Sequence, residues 1–197
     1  MKYNLMAKIF LNLGLGMVKP EISKDNRLKI KAEYKKIVLR AKDIGSKNIL
    51  LSSYLLAAFF IALNRANPIG EEENYKILES GMRKSKLLKK FMGDAKSYFK
   101  ESKMVKRRKW ALSSHLKKYE NDWVLDIKED DPKYRFGINY LECGVCKLCR
   151  DEKCFYLAKY LCRLDYLLAE IMGLGLDRTM TLANGDKMCD FRWYEEK

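Results

Sequence analysis

The chain has 197 residues, 48% of them hydrophobic, enough to bury the core of one domain without disulfide staples; this excludes a disordered chain and a small disulfide-framework protein. Its formal net charge of +14 is unevenly spread: residues 83–118 hold 14 Lys and Arg against 2 Asp and Glu, whereas residues 119–197 hold 12 against 16. A basic middle segment beside a slightly acidic C-terminal part argues against nucleic acid as the main partner.

Taken in chain order, "LMAKIFLNLGLGMV" is apolar, but Lys8 and Asn12 interrupt it and no small-residue cleavage site follows, so it does not read as a signal peptide. From Glu21 to Arg65 the pattern is helical, with Ile30, Tyr34, Ile37, Val38 and Leu39 apolar among lysines. The longest apolar run, Ile49 to Leu63, has fifteen residues, short of the roughly 20 that cross a bilayer. It reads as a buried helix ended by Asn67-Pro68, and no membrane association is expected. More helices follow, with breaks expected near Gly81 and Gly93.

Lys106 to Lys109, "KRRK", followed by Trp110, is the densest charge run. Such a run can track a phosphate backbone, but no nucleic-acid-binding signature accompanies it, and a solvated helix face is the plainer reading.

At Asn121 the character changes. "DWVLDIKE" alternates as a strand, "DDPK" is a turn, and "YRFGINYLEC" is a second strand, so a hairpin is predicted. "CKLCRDEKCFYLAKYLCRLDYLLAEIMGLGL" reads as one helix with a stripe of Leu157, Leu161, Leu164, Leu168 and Met172. "TMTLANGDKMCDFRW" reads as a closing hairpin with a two-residue Asn184-Gly185 turn. That register puts Met180, Leu182, Cys189, Phe191 and Trp193 on a core face. Thr179, Thr181, Asp190 and Arg192 fall on the other, which either meets water or lines a polar pocket. The expected class is α+β: one domain, residues 1–197, in which a mainly helical part, 1–118, packs with an antiparallel four-stranded sheet in a β-β-α-β-β part, 119–197. No linker or repeat marks a boundary within it, and a homo-oligomer stays open.

Six cysteines without a secretory signal argue for a reducing compartment, and the cytoplasm is the expected location. Cys143, Cys146, Cys149 and Cys154 approach the spacing of an iron–sulfur or zinc ligand run, though the fourth position departs from the ferredoxin pattern by one residue and no proline follows. Catalytic thiols and plain packing are the competing readings. On the last helix, Asp165 falls at the flank of the leucine stripe, opposite Lys159, Arg163 and Glu170. A half-buried carboxylate there needs a donor or a cation, or keeps a raised pKa suited to proton transfer.

Trp110 with Ser114, "NDW" at 121–123, "FG.NY..CG" from Phe136 to Gly144, "YLCRLDY" at 160–166 and "RTMTLANGDKMCDFRW" from Arg178 together resemble the L-2-amino-thiazoline-4-carboxylic acid hydrolase family. The most specific string is R-T-x-T-L-A-x-G-x-x-x-C-D-F-R, and the likeness is close over the C-terminal part and general over the N-terminal helices. Cys143, Cys162 and Asp165 also match, whereas Cys146, Cys149 and Cys154 fall outside the pattern. The resemblance implies a small-molecule substrate, cysteine metabolism, and hydrolytic ring opening: water adds to C2 of 2-amino-thiazoline-4-carboxylate, the C–S bond breaks, and N-carbamoyl-cysteine forms. The Cys, helix, Gly, strand, Gly, Cys-x-Phe layout also looks like small-molecule-binding domains of the four-vinyl-reductase type, which supplies a non-catalytic alternative.

For ring opening, Asp165 and Asp190 are the candidate base and amidinium partner. Thr179 or Thr181 would hydrogen-bond the tetrahedral intermediate, and Arg178 or Arg192 would fork onto the substrate carboxylate. A covalent route would use Cys143, Cys162 or Cys189 as nucleophile. His115, the only histidine, lies in the basic helical segment, away from these residues in sequence.

Overall fold

A computed structural model describes residues 1–196. Helices come first: α1 (Leu5–Val18), α2 (Lys24–Arg40), α3 (Leu51–Ala66), α4 (Glu71–Lys84), α5 (Lys86–Met92), the single turn α6 (Ala95–Tyr98) and α7 (Glu101–Ser114). Strands β1 (Val124–Lys128) and β2 (Phe136–Glu142) follow, then α8 (Gly144–Asp151), a 3-10 turn at Phe155–Leu157 and α9 (Ala158–Met172). β3 (Leu174–Asp177), a 3-10 turn at Leu182–Asn184 and β4 (Cys189–Glu195) close the chain. The sheet is antiparallel throughout, in the order β1-β2-β4-β3, and the class is α+β.

The apolar run read as a buried helix is α3, in which Tyr54, Phe59 and Phe60 have no exposed surface. A helix apolar on every side is stable only when covered on every side, and α1, α2, α4 and α8 all pack on it. None of the described helices is long and apolar enough to cross a membrane. Around α3 the helices obey local rules. The Ser23 hydroxyl caps α2 by accepting the Asn26 N–H at 3.1 Å, and Ile30, Tyr34, Ile37 and Val38 form its buried stripe. Three glutamates open α4 and Arg83-Lys84 close it, each sign matching the helix dipole at its end.

Glu152, just past α8, is buried and accepts Arg40 Nε at 2.7 Å, Arg40 Nη2 at 2.6 Å and Arg65 Nη1 at 2.7 Å. This cluster ties α2 and α3 to the end of α8 and so fixes where the start of α8 points.

Three local expectations are corrected. Gly81 does not break a helix: it lies inside α4, where a Cβ would sit 2.2 Å from the Met17 carbonyl oxygen, so glycine is there to let α1 and α4 approach. The break falls at Ser85, whose hydroxyl caps α5. The single helix expected from Cys146 to Leu176 is two, separated by Lys153 at φ +56° and the 3-10 turn. Its tail is strand: Gly173, left-handed at φ +68°, stops α9, and Leu174–Asp177 pairs with β4.

The two-residue hairpin is also replaced. Leu176 pairs with Trp193 and Asp177 with Arg192, leaving residues 178–188 as a loop. Asn184-Gly185 closes a 3-10 turn within it, with Gly185 at φ +89°. The reason is that Asp190 captures the donors a ladder would have used: its Oδ1 accepts the N–H of Thr179 at 2.9 Å and of Met180 at 2.6 Å.

Candidate active site

Between α3, α7 and α9 and the inner face of the sheet lies a cavity of about 280 Å³. Strand alternation decides which side chains reach it. Tyr140 stands opposite Cys189, Ile138 opposite Phe191 and Phe136 opposite Trp193, and five of these six line the cavity, Phe136 excepted. Leu164, Asp165 and Leu168 contribute from α9, Ser52, Ser53 and Leu56 from α3, and Arg107 with Trp110 from α7. The wall is mostly apolar with few polar groups, the usual make-up of a small-ligand pocket.

Cys143, Cys162, Cys189, Asp165 and Arg178, which sequence reasoning singled out, all line this one cavity. Asp190, Arg192, Thr179 and Thr181 do not. Asp190 and Arg192 occupy the alternate positions of β4 and point to the opposite face, paired with Asn139 and Gly137. Arg192 Nη1 donates to the Asn139 side chain at 2.9 Å. The Asp190 carboxylate is occupied by the two amides above and by the Thr179 hydroxyl, which donates at 2.6 Å. Burial works against its charge, yet these donors hold its carboxyl below the usual range. The Thr181 hydroxyl accepts the Asn184 N–H at 3.2 Å. This polar face therefore holds the 178–188 loop in place.

Asp165 and Arg178 form a pair at 2.7 Å through Asp165 Oδ2 and Arg178 Nη1. Arg178 Nη2 also donates to the Cys162 carbonyl at 2.9 Å, and Tyr166 and Phe191 flank the guanidinium. The Arg178 side chain is 5% exposed and that of Asp165, which lines the cavity, 33%. Burial raises its carboxyl to about 6 against the opposing pull of Arg178.

The three thiols differ. Burial pushes Cys162 well up and Cys189 up to about 12, although the Leu182 N–H donates to the Cys189 sulfur at 3.2 Å. Cys143 alone among them is drawn down, by the Cys146 thiol and by the amides of Cys146 and Val145 at the head of α8. A thiolate at a helix N-terminus is favoured by those N–H dipoles.

The cysteines whose spacing approaches a ligand run do not gather into one site among the described residues. Among the described residues no group of three or more His, Cys, Asp or Glu is placed to hold a metal ion. Helical spacing carries Cys143, Cys146 and Cys149 along α8, and Cys149 lies beside Cys154 rather than beside Cys143.

Arg107 was missed because it sits inside a run of charges. Its signal was positional: Met104, Arg107, Ala111 and Ser114 are the buried stripe of α7, spaced i, i+3, i+7 and i+10.

The protein is α+β, with a partly open, mostly apolar cavity between its helices and its sheet. The chain belongs to the L-2-amino-thiazoline-4-carboxylic acid hydrolase family, whose model matches residues 48–193. That stretch contains every residue of the cavity wall, from Ile49 to Trp193, and leaves out α1 and α2. No curated protein and no solved structure matches the chain.

Proposed function

We propose that this chain is a hydrolase that opens the ring of L-2-amino-thiazoline-4-carboxylate, or a related small cyclic amidine, to N-carbamoyl-cysteine, with Cys143 as nucleophile. The observation that carries this reading is the meeting, in one cavity wall, of the Cys143 thiol at the head of α8 with the Asp165 carboxylate. Asp165 Oδ2 is taken by Arg178, and Oδ1 is left for the amidinium of the ligand.

In the first step the Cys143 thiolate attacks C2 and the ring C–S bond breaks, leaving an S-amidino adduct on Cys143 and the substrate sulfur as thiolate. Water then adds to the same carbon. Asp165 accepts one of its protons and passes it to the substrate sulfur, while the other goes to solvent. The bond from carbon to Cys143 breaks, which restores the thiolate and releases the ureido product. One water is consumed and nothing is oxidised. A carboxyl near 6 suits this transfer, since it is mostly ionised at neutral pH yet still basic enough to take a proton.

The apolar wall supplied by Ile138, Leu164 and Leu168 favours a second reading, a binding module of the four-vinyl-reductase-like type without catalysis. Thiol and ureido release from L-2-amino-thiazoline-4-carboxylate by the purified protein decides between them. Turnover lost in both Cys143→Ser and Asp165→Asn supports the hydrolase, and a folded wild-type protein without turnover overturns it.

A further inference from the structure

The basic run on α7 contains one side chain that is not at the surface. Arg107 is 8% exposed and lines the cavity. Its guanidinium lies 4.1 Å from the Tyr98 ring centre and 5.0 Å from that of Phe136. Nη1 donates to the Tyr98 carbonyl at 2.9 Å and to the Met104 sulfur at 3.3 Å. Among the described residues no carboxylate comes within 4.0 Å of it, and the one carboxylate in the cavity wall, Asp165, is already joined to Arg178. A guanidinium keeps its charge at any pH a protein tolerates, and a buried charge without a counter-ion is strongly disfavoured.

Two further donors beside it also lack partners. The indole N–H groups of Trp110 and Trp193 are buried and find no acceptor among the described residues, and both residues line the same cavity. Trp110 follows Arg107 by three residues on α7, hence on the same helix face. Trp193 packs against the other partner of Arg107, with ring centres 5.2 Å from Tyr98 to Trp193. The wall thus holds two guanidiniums against one carboxylate, together with N–H groups that have no acceptor.

We propose that Arg107, Trp110 and Trp193 form an anion subsite that receives the carboxylate of the ligand, so that Arg107 sets the specificity of this cavity for carboxylate-bearing substrates. The identity of the ligand rests on the hydrolase reading above, but the need for an anion does not. Arg178 and Arg192 were the sequence-based choices for this role, but Asp165 and the Cys162 carbonyl take both terminal nitrogens of Arg178, leaving only its buried Nε without a partner among the described residues, and Arg192 lies outside the cavity.

The test pairs binding with turnover. Calorimetry with thiazolidine-4-carboxylate and with thiazolidine measures preference for the carboxylate where no amidine is present. Turnover of L-2-amino-thiazoline-4-carboxylate against 2-amino-thiazoline measures it in the reaction. Wild-type protein is expected to prefer the carboxylate member of each pair by roughly 100-fold, and Arg107→Met to lose that preference. Trp193→Phe, which keeps an aromatic ring and removes the donor, is expected to lower it about tenfold, and Arg107→Lys to retain part of it. Wild-type protein that does not bind thiazolidine-4-carboxylate, or a preference that survives both Arg107→Met and Trp193→Phe, overturns the subsite. Carboxylate binding that depends on Arg107 in a protein without turnover keeps the subsite and discards the hydrolase. Turnover whose carboxylate preference ignores Arg107 does the reverse.

Discussion

Arg178 holds Asp165 by one oxygen only: Nη1 meets Oδ2 at 2.7 Å, and among the described residues Oδ1 receives no donor. The pair is therefore both a fixture and a reagent, with one oxygen orienting the carboxylate and the other left for chemistry. Since the ionised form is the active one, kcat/KM should fall as pH drops through about 6, where Asp165 takes up its proton. Arg178 pulls that value down against burial, so Arg178→Gln should move the acid limb to higher pH. A pH profile from 4.5 to 9 on both proteins checks this, and a limb that stays in place would remove Asp165 from the reaction.

Cys143 is expected to react fastest of the three cavity thiols with iodoacetamide at neutral pH, because it alone is drawn down. Cys143→Ser should lose more than about 1,000-fold in kcat, as removal of a nucleophile does, while Cys162→Ser and Cys189→Ser lose far less. Peptide mapping of the alkylated protein gives the order of reactivity, and a Cys143 that labels last would move the nucleophile elsewhere.

Asp190 should behave as a structural residue. Its carboxylate holds two backbone amides and one hydroxyl, so Asp190→Ala is expected to cost on the order of 3 kcal/mol. Turnover per folded molecule should change much less than in Asp165→Asn. Urea melts alongside kinetics separate the two, and a stable but inactive Asp190→Ala would contradict the assignment.

Gly81→Ala places a Cβ where the Met17 carbonyl oxygen now stands, 2.2 Å away. Helix propensity alone would favour alanine inside α4, but the clash between two backbones should win, with a loss of about 2 kcal/mol. A rise in Tm would show that α1 and α4 separate freely.

What the sequence made legible is what local periodicity encodes. The β1-β2 hairpin, the buried Leu161, Leu164 and Met172 of α9 and the core face of Cys189, Phe191 and Trp193 were readable, although neither β1 nor β2 alternates cleanly in burial. Competition between two local signals hid the rest. Asn184-Gly185 serves a hairpin turn and a 3-10 turn equally well, and what decided it was Asp190, a side chain whose contacts are tertiary. Leu174–Asp177 continues an apolar helix pattern until Gly173 turns left-handed, and pairing with β4 then takes over. Convergence of Cys143, Cys162, Cys189 and Asp165 on one cavity was foreshadowed by the family pattern, not by spacing. Arg107 stayed hidden because a run of four cations reads as a solvated face unless each is placed on the helix wheel.

The unpartnered donors around the cavity have a practical consequence. A buried guanidinium without a carboxylate partner among the described residues leaves stability to be gained from a counter-ion, so any small anion that fits should show itself as heat resistance. A ligand at 100 times its Kd would add about 2.7 kcal/mol, worth several degrees in Tm for a chain of this size. Thermal scanning against a panel of small carboxylates can therefore search for the natural ligand with no assay for the reaction. The same panel run on Arg107→Met should be silent, which makes that variant the built-in blank of the search.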